Sequence, residues 1–77
     1  MVQAYILIQT RPGTGPRVTK EVANVIGVGS AFEVTGPYDV IARAEARSLD
    51  ELSKQVLGGI EAVAGVIRIL TCSVIHL

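Results

Sequence analysis

The order of hydrophobic and polar positions along the chain predicts four strands separated by turn residues. Residues 4–9 are rich in β-branched and aromatic side chains and end at a Pro-Gly turn, so they predict a first strand. Residues 30–35 and 39–45 alternate on either side of a Gly-Pro turn, a pattern typical of a hairpin of the second and third strands. Residues 66–77 are nearly continuous Val, Ile and Leu and predict a long last strand.

A first amphipathic helix is predicted between the first two strands. Pro16 suits the first turn of a helix, where its missing N–H leaves no intrahelical bond unmade. Apolar residues then recur at helical spacing until Gly27. These apolar positions are Val18, Val22, Val25 and Ile26.

A second helix is predicted after the third strand. Ser48 and Glu51 match a capping box, in which Ser48 caps the helix start and Glu51 reaches back to it. Its apolar stripe consists of Leu49, Leu52, Val56 and Ile60. Gly58 and Gly59 lie inside that stripe and cost about 1 kcal/mol each relative to Ala, which leaves open whether the helix breaks there.

The two halves of the sequence resemble each other at an offset of 36 residues, which places Gly29 on Gly65 and Thr35 on Thr71. The strands align at this offset, whereas the helix stripes do not. Two β-α-β units with right-handed crossovers and an antiparallel sheet between them predict an α+β, ferredoxin-like β-α-β-β-α-β sandwich with both helices on one face, as in dimeric α/β barrels. A chain of 77 residues has room for one core, so we expect a single domain, residues 1–77.

The first and last strands are apolar on both faces. In the first strand Tyr5 and Leu7 alternate with Ala4, Ile6 and Ile8. In the last strand one face is predicted to carry Val66, Leu70, Cys72 and Val74, and the other Ile67, Ile69 and Ile75. Because two helices cover only one face of such a sheet, we expect a second copy to cover the other, in a two-fold dimer.

Composition excludes several classes of function. Lys and Arg number seven and Asp and Glu number seven, so we expect no direct nucleic-acid or membrane binding. The N-terminus lacks the basic region of a signal peptide, and no apolar run approaches the roughly 20 residues of a membrane helix. Cys72 is predicted to be a buried, inert thiol. A cytoplasmic protein is expected.

Catalytic and metal motifs are weak. Residues 11–16 precede a helix but lack the Lys-Ser/Thr of a phosphate-binding loop, so they are interpreted as a connector. His76 has no Cys or His partner at metal-ligand spacing. Asp39 and Glu45 lie about 20 Å apart along one strand, too far to act as a catalytic pair. We therefore expect no catalytic residue, no metal and no cofactor.

Two motifs link the chain to a known family. Residues 34–39 contain a Gly-x-Tyr-Asp turn, and Gly65-Val66 followed by Thr71 opens the last strand. These features resemble the effector-binding (RAM) domain of the Lrp/AsnC transcriptional regulators. Further matches in the same register are Pro12, Gly13, Val28, Leu49, Leu52 and Ile60. Two positions depart from the pattern: Ile69 replaces a frequent Thr, and Ile26-Gly27 replaces a usual proline.

The resemblance implies a function. Family members normally carry an N-terminal helix-turn-helix, and this sequence begins at the first strand, so it is similar to the stand-alone members. The resemblance implies a dimer through the sheets, assembly into octamer or decamer rings, and association with a full-length homologue. It also implies an amino-acid effector bound between dimers near the Gly-x-Tyr-Asp turn. Two alternatives are a small cofactor-free enzyme of the dimeric α/β-barrel class and a purely structural assembly domain.

The chemistry of the turn suits such an effector, which presents one ammonium and one carboxylate. Asp39 can accept the ammonium, and Gly36 lets backbone N–H groups approach the carboxylate. Tyr38 offers a flat wall and a hydroxyl, and Thr71 a further hydroxyl from the last strand. The competing interpretation is that these residues only form a good turn, with Asp39 bonded to the backbone.

Overall fold

The computed structural model describes residues 1–75, so the prediction for His76 lies outside the described residues. The strands are β1 (Val2–Thr10), β2 (Val28–Glu33), β3 (Val40–Ala46) and β4 (Val66–Ser73). Helix α1 covers Gly15–Ala23, and helix α2 runs through three consecutive segments, Leu49–Glu51, Leu52–Leu57 and Gly58–Glu61. The sheet order is β2-β3-β1-β4 with every neighbouring pair antiparallel, which confirms the predicted ferredoxin-like sandwich.

The core lies between the two helices and one face of the central strands. Alternate residues of β1 and β3 are buried and lie opposite each other, as Ala4 does to Ala44 and Ile6 to Ala42. The helices contribute Val18, Val22, Leu52, Val56 and Ile60. Because β3 presents small alanines, the helices can pack closely on the sheet, and each buried Val or Ile side chain stabilises the fold by about 1.5–3 kcal/mol.

Helix α1 is shorter than its apolar pattern predicts. It ends at Ala23, and Val28 N–H donates to the carbonyl of Val25 at 3.0 Å in the turn that follows. Val25 still packs against the core, whereas Ile26 is 80% exposed. The prediction that Ile26 belongs to the buried stripe is therefore wrong, because the chain has left the helix before reaching it.

One of the two hydrogen bonds of the predicted capping box at the start of α2 is confirmed. Ser48 Oγ accepts a hydrogen bond from the backbone N–H of Glu51 at 3.1 Å. The Glu51 carboxylate does not return to Ser48; it accepts from the backbone N–H and Nε of Arg47 at 3.5 and 3.3 Å. Leu49, predicted to lie on the apolar stripe, is 63% exposed at the start of the helix.

Helix α2 does not break at its two glycines. The middle segment is π-helical, and Gly58 and Gly59 lie in the α-helical turn that follows it. A Cβ added to Gly59 would lie 2.7 Å from Val25 Cγ1, whereas one added to Gly58 would meet nothing within 4 Å. Gly59 therefore permits close contact between α2 and the segment after α1, while Gly58 has no such packing role.

A bulge in β4 changes which residues face the helices. Gln9 pairs with Arg68 and Thr10 with Val66, so Ile67 is an extra residue with no partner position in β1. Val66 consequently packs against the core together with Ile69. The predicted alternation, which put Val66 on the same face as Leu70, is wrong by one residue at this end of the strand.

The internal repeat has an offset of 38 residues rather than 36. Gly27 and Gly65 both have positive φ, 94° and 101°, and each directly precedes a strand. The turn bond from Val28 to Val25 recurs as Val66 N–H to the Val63 carbonyl at 3.3 Å. At this offset the helix stripes also align: Val18 with Val56 and Val22 with Ile60. The offset of 36 is wrong because the strands themselves repeat at 38, as the starts of β2 at Val28 and β4 at Val66 show.

The face of the sheet away from the helices carries an apolar row that crosses all four strands. The row consists, in register, of Phe32, Ile41, Leu7 and Leu70. Phe32 is 62% exposed and Leu70 47%. The next row contains Tyr5 and Cys72, and Cys72 is exposed rather than buried as predicted, because it shares this uncovered face. Within residues 1–75, no helix has the length and apolar character needed to cross a membrane.

Candidate functional site

The connection between β2 and β3 contains the predicted Gly-x-Tyr-Asp turn. Val34 N–H donates to the carbonyl of Asp39 at 2.8 Å and closes the connection. Gly36 has a φ of 132° with nothing within 4 Å of an added Cβ, so its conformation rather than its size requires glycine. Tyr38 is half-buried beside it. The turn is thus a fixed structure joining the ends of two strands.

Asp39 is anchored to the end of β1. Its Oδ2 accepts from the backbone N–H of Thr10 at 2.7 Å and from Thr10 Oγ1 at 3.2 Å. Its own N–H donates to the carbonyl of Ile8 at 2.9 Å. Thr10 is only 7% exposed, so the carboxylate satisfies polar groups that burial would otherwise leave unpaired.

An open cleft of about 620 Å³ lies next to Asp39, where the connection from β1 to α1 meets the end of β2 and the start of β4. Three charged residues line it: Arg11, Glu33 and Asp39. Its apolar lining includes Pro12, Pro16, Val34 and Ile67. The cleft therefore combines one cation, two carboxylates and an apolar wall within a volume suited to a small molecule.

The fold anchors the backbone of Arg11 and leaves room for the Glu33 carboxylate. Arg11 N–H donates to the carbonyl of Gly65 at 2.8 Å, and the Arg11 carbonyl accepts from Thr14 Oγ1 at 2.7 Å. Within residues 1–75 the Arg11 guanidinium forms no ion pair. A Cβ added to the buried Gly15 would lie 2.7 Å from Glu33 Oε2, so glycine leaves room for this carboxylate against the start of α1.

Among the four predicted site residues, all of which are described, Asp39 alone lines this cleft. Gly36 and Tyr38 lie in the adjoining turn. Thr71 lies in β4 opposite Ile6. It is two strands away from Asp39 across the sheet and about three residues away along the strand direction. Strand spacings of about 4.8 Å and a rise of about 3.3 Å per residue separate the two by roughly 14 Å. One copy of the chain does not bring Thr71 and Asp39 together.

Sequence reasoning missed Thr10, Arg11 and Glu33. Thr10 could have been found, because it follows Ala4, Ile6 and Ile8 on the buried side of the alternation, where a polar residue needs a partner. Arg11 and Glu33 gave no local signal. Their proximity depends on the sheet order, which brings the end of β2 close to the end of β1.

The cleft is suited to binding through charge and hydrogen bonds. Its lining includes neither His nor Cys, and the Thr10 hydroxyl is already bonded to Asp39. In the part of the chain that the structure describes, no three His, Cys, Asp or Glu side chains cluster as they would around a metal ion. A ligand carrying both an anionic and a cationic group would find complementary partners here.

The sandwich with a charged cleft at one end is a small α+β domain of a shape suited to binding a small molecule. Comparison with known families agrees: the family described as the Lrp/AsnC ligand binding domain matches residues 3–76. The chain belongs to this family, and the predicted resemblance is confirmed. It is therefore a regulatory effector-binding domain of the Lrp/AsnC type.

Solved structures share the whole fold. A protein from Thermus thermophilus is 30% identical with a TM-score of 0.91, and the match covers 100% of this chain and 96% of that one. A transcriptional regulator from Neisseria meningitidis, solved as a complex with L-Met, is 25% identical with a TM-score of 0.81. That match covers 97% of this chain and 50% of the regulator.

A curated relative is an enzyme. The homocitrate synthase of Sulfurisphaera tokodaii is 36% identical over 58 residues, which is 75% of this chain. The chain spans 12% of the length of that enzyme. The similarity is thus confined to a segment the size of this domain.

Proposed function

We propose that the chain senses a free amino acid and transmits its presence through self-assembly. The observation that carries this proposal is the cleft in which the Arg11 guanidinium and the Asp39 carboxylate, the latter anchored by Thr10, provide opposite charges for a zwitterion. The complex of the Neisseria regulator with L-Met supports an amino-acid ligand.

Each charged group has a role in this proposal. Asp39 accepts the ligand ammonium, with Glu33 as a second acceptor, and Arg11 donates to the ligand carboxylate. Gly36 and Tyr38 lie in the turn that adjoins the cleft and not in its lining, so their backbone N–H groups and ring would contact the ligand only at its edge. Thr71 is roughly 14 Å from Asp39 in its own copy, so a role for it requires that it reach the ligand from a neighbouring copy.

Assembly uses the uncovered face of the sheet. The apolar row from Phe32 to Leu70 crosses all four strands, and a second copy with the same row is a self-complementary partner. Such dimers join through their clefts into octamer or decamer rings, or join a full-length Lrp/AsnC homologue. With seven cationic and seven anionic residues, this cytoplasmic domain leaves nucleic-acid contact to other domains or chains.

A thermal-shift screen of the proteinogenic amino acids at millimolar concentration tests the proposal. A ligand present at a concentration of about 100 times its Kd stabilises the folded protein by about 2.7 kcal/mol. For a domain this small, that gain raises the Tm by about 10 °C or more. Asp39→Asn should remove the shift. The control Asp50→Asn alters an exposed carboxylate paired with Lys54 and should keep it. Absence of a shift with every amino acid would contradict the sensing function.

Control of a biosynthetic enzyme is a second candidate function. The observation that favours it is the 36% identity to a segment of homocitrate synthase, above the 25% identity to the Neisseria regulator. A chimera in which this chain replaces that segment of the Sulfurisphaera enzyme should change its rate with the amino acid that binds the isolated chain. An active chimera that ignores this amino acid would contradict the second candidate.

A further inference from the structure

We propose that Ile67 is the specificity-determining residue of the cleft and that the effector is an amino acid with an aliphatic side chain. This inference rests on the proposed function, because it concerns the side chain of the same ligand. It comes from the bulge in β4, from the internal repeat and from the distribution of charge in the lining.

The bulge presents Ile67 to the cleft. Its neighbours Val66 and Arg68 pair with Thr10 and Gln9 of β1, whereas Ile67 has no partner position there. Its side chain is 58% exposed and lines the cleft with Val34 and Asp39. Bulges commonly redirect a side chain next to a binding site. Here the redirected side chain is a large apolar one.

The repeat shows that the bulge does not need this side chain. At the offset of 38, Ile67 corresponds to Gly29, which lies at the matching register shift between Val28 and Ser30 of β2. Glycine suffices for the irregularity in the first half of the chain. An isoleucine at the second bulge is therefore not explained by backbone geometry, and its position in the cleft lining gives it a role there.

The charges of the lining are accounted for by the constant part of an amino acid. Arg11 faces the carboxylate, and Asp39 and Glu33 face the ammonium, which leaves no further charged residue in the lining. The remaining contacts for a variable side chain are mainly apolar: Pro12, Pro16, Val34 and Ile67. An aliphatic side chain gains by leaving water for such a surface, whereas an anionic one would lose hydration and meet no second cation, and a cationic one would have to compete with the ammonium for Glu33.

Calorimetric titration of the wild type and of Ile67→Ala separates the outcomes. The ligand panel is Leu, Ile, Val and Met against Ala, Asp, Lys and Arg. We expect the wild type to prefer the first group, and Ile67→Ala to weaken their binding about tenfold, as expected for lost methylene contacts. Binding of Ala should change less than twofold in the same variant. The control Ile26→Ala shortens another exposed isoleucine outside the cleft and should leave all affinities unchanged.

Three results would overturn the inference. Tightest binding of Asp, Lys or Arg would show that the side chain is recognised by charge. If Ile67→Ala binds aliphatic amino acids with the same preference as the wild type, Ile67 does not determine specificity. Both of these leave the proposed function intact, whereas no binding of any amino acid by the wild type would overturn the inference and the proposed function together.

Discussion

The carboxylate of Asp39 accepts two hydrogen bonds from Thr10, one from its backbone N–H at 2.7 Å and one from its hydroxyl at 3.2 Å. Both bonds use Oδ2, and among residues 1–75 no side-chain or backbone donor bonds Oδ1. The interpretation of Asp39 as a turn residue and its interpretation as a ligand residue are therefore compatible. One oxygen stabilises the fold, and the proposed ligand uses the other.

Removing the Asp39 carboxylate should destabilise the protein more than removing the Thr10 hydroxyl. Asp39→Ala leaves the buried N–H of Thr10 without its acceptor, which costs about 1–3 kcal/mol in the free energy of unfolding. Thr10→Val removes the longer bond alone and should cost about 1 kcal/mol. Urea unfolding measures both. An Asp39→Ala midpoint equal to the wild type would show that the bonds do not stabilise the native state.

The two glycines of α2 should respond oppositely to alanine. Gly58→Ala meets no atom within 4 Å and should stabilise by about 0.5–1 kcal/mol, the difference in helix propensity. Gly59→Ala forces Val25 to move. The free energy of unfolding of this variant should therefore be at least about 1 kcal/mol lower than that of Gly58→Ala. Equal stabilities of the two variants would contradict the close contact between α2 and Val25.

The apolar row should control assembly. Leu7→Lys places a charge in the middle of the row, where burial against a second copy would cost several kcal/mol, so the variant should sediment as a monomer. Ile26→Lys is the matched control, since Ile26 is 80% exposed and lies outside the apolar row. Analytical ultracentrifugation reads the mass of each. A wild type that is itself monomeric at high micromolar concentration would refute assembly through this face.

Arg11 should contribute to binding without contributing to stability. Its guanidinium forms no ion pair within residues 1–75, so Arg11→Gln should leave the Tm within about 2 °C of the wild type. Loss of its bond to the ligand carboxylate should weaken effector binding about tenfold or more. Arg47→Gln, which alters an exposed arginine outside the cleft, serves as the control. Unchanged affinity in Arg11→Gln would exclude this residue from the site.

Much of the fold follows from local periodicity. The alternation that buries Ala4, Ile6 and Ile8 is visible in the sequence, as is the four-residue spacing of Leu52, Val56 and Ile60. These patterns report which side chains leave water, and burial of apolar surface is the dominant favourable term in folding. The family follows from the Gly-x-Tyr-Asp turn in the same way, because a short connection with special backbone requirements leaves a sequence signature.

The missed features depend on relations between distant segments. The bulge at Ile67 is a mismatch between β4 and β1, and neither strand shows it alone. The cleft lies where the connection after β1 meets the end of β2 and the start of β4. Arg11 becomes a neighbour of Asp39 only after the sheet has formed, whereas the predicted hairpin already places Glu33 close to it. The exposure of Ile26 reflects a turn that interrupts an otherwise continuous helical pattern.

A crystal structure grown in a mixture of amino acids would show the ligand and the assembly in one map. We expect density for a free amino acid in the cleft, with its ammonium on Asp39 and its carboxylate on Arg11, in copies that pack through the apolar row. An empty cleft in crystals saturated with amino acids, or an amino acid bound elsewhere, would contradict this expectation.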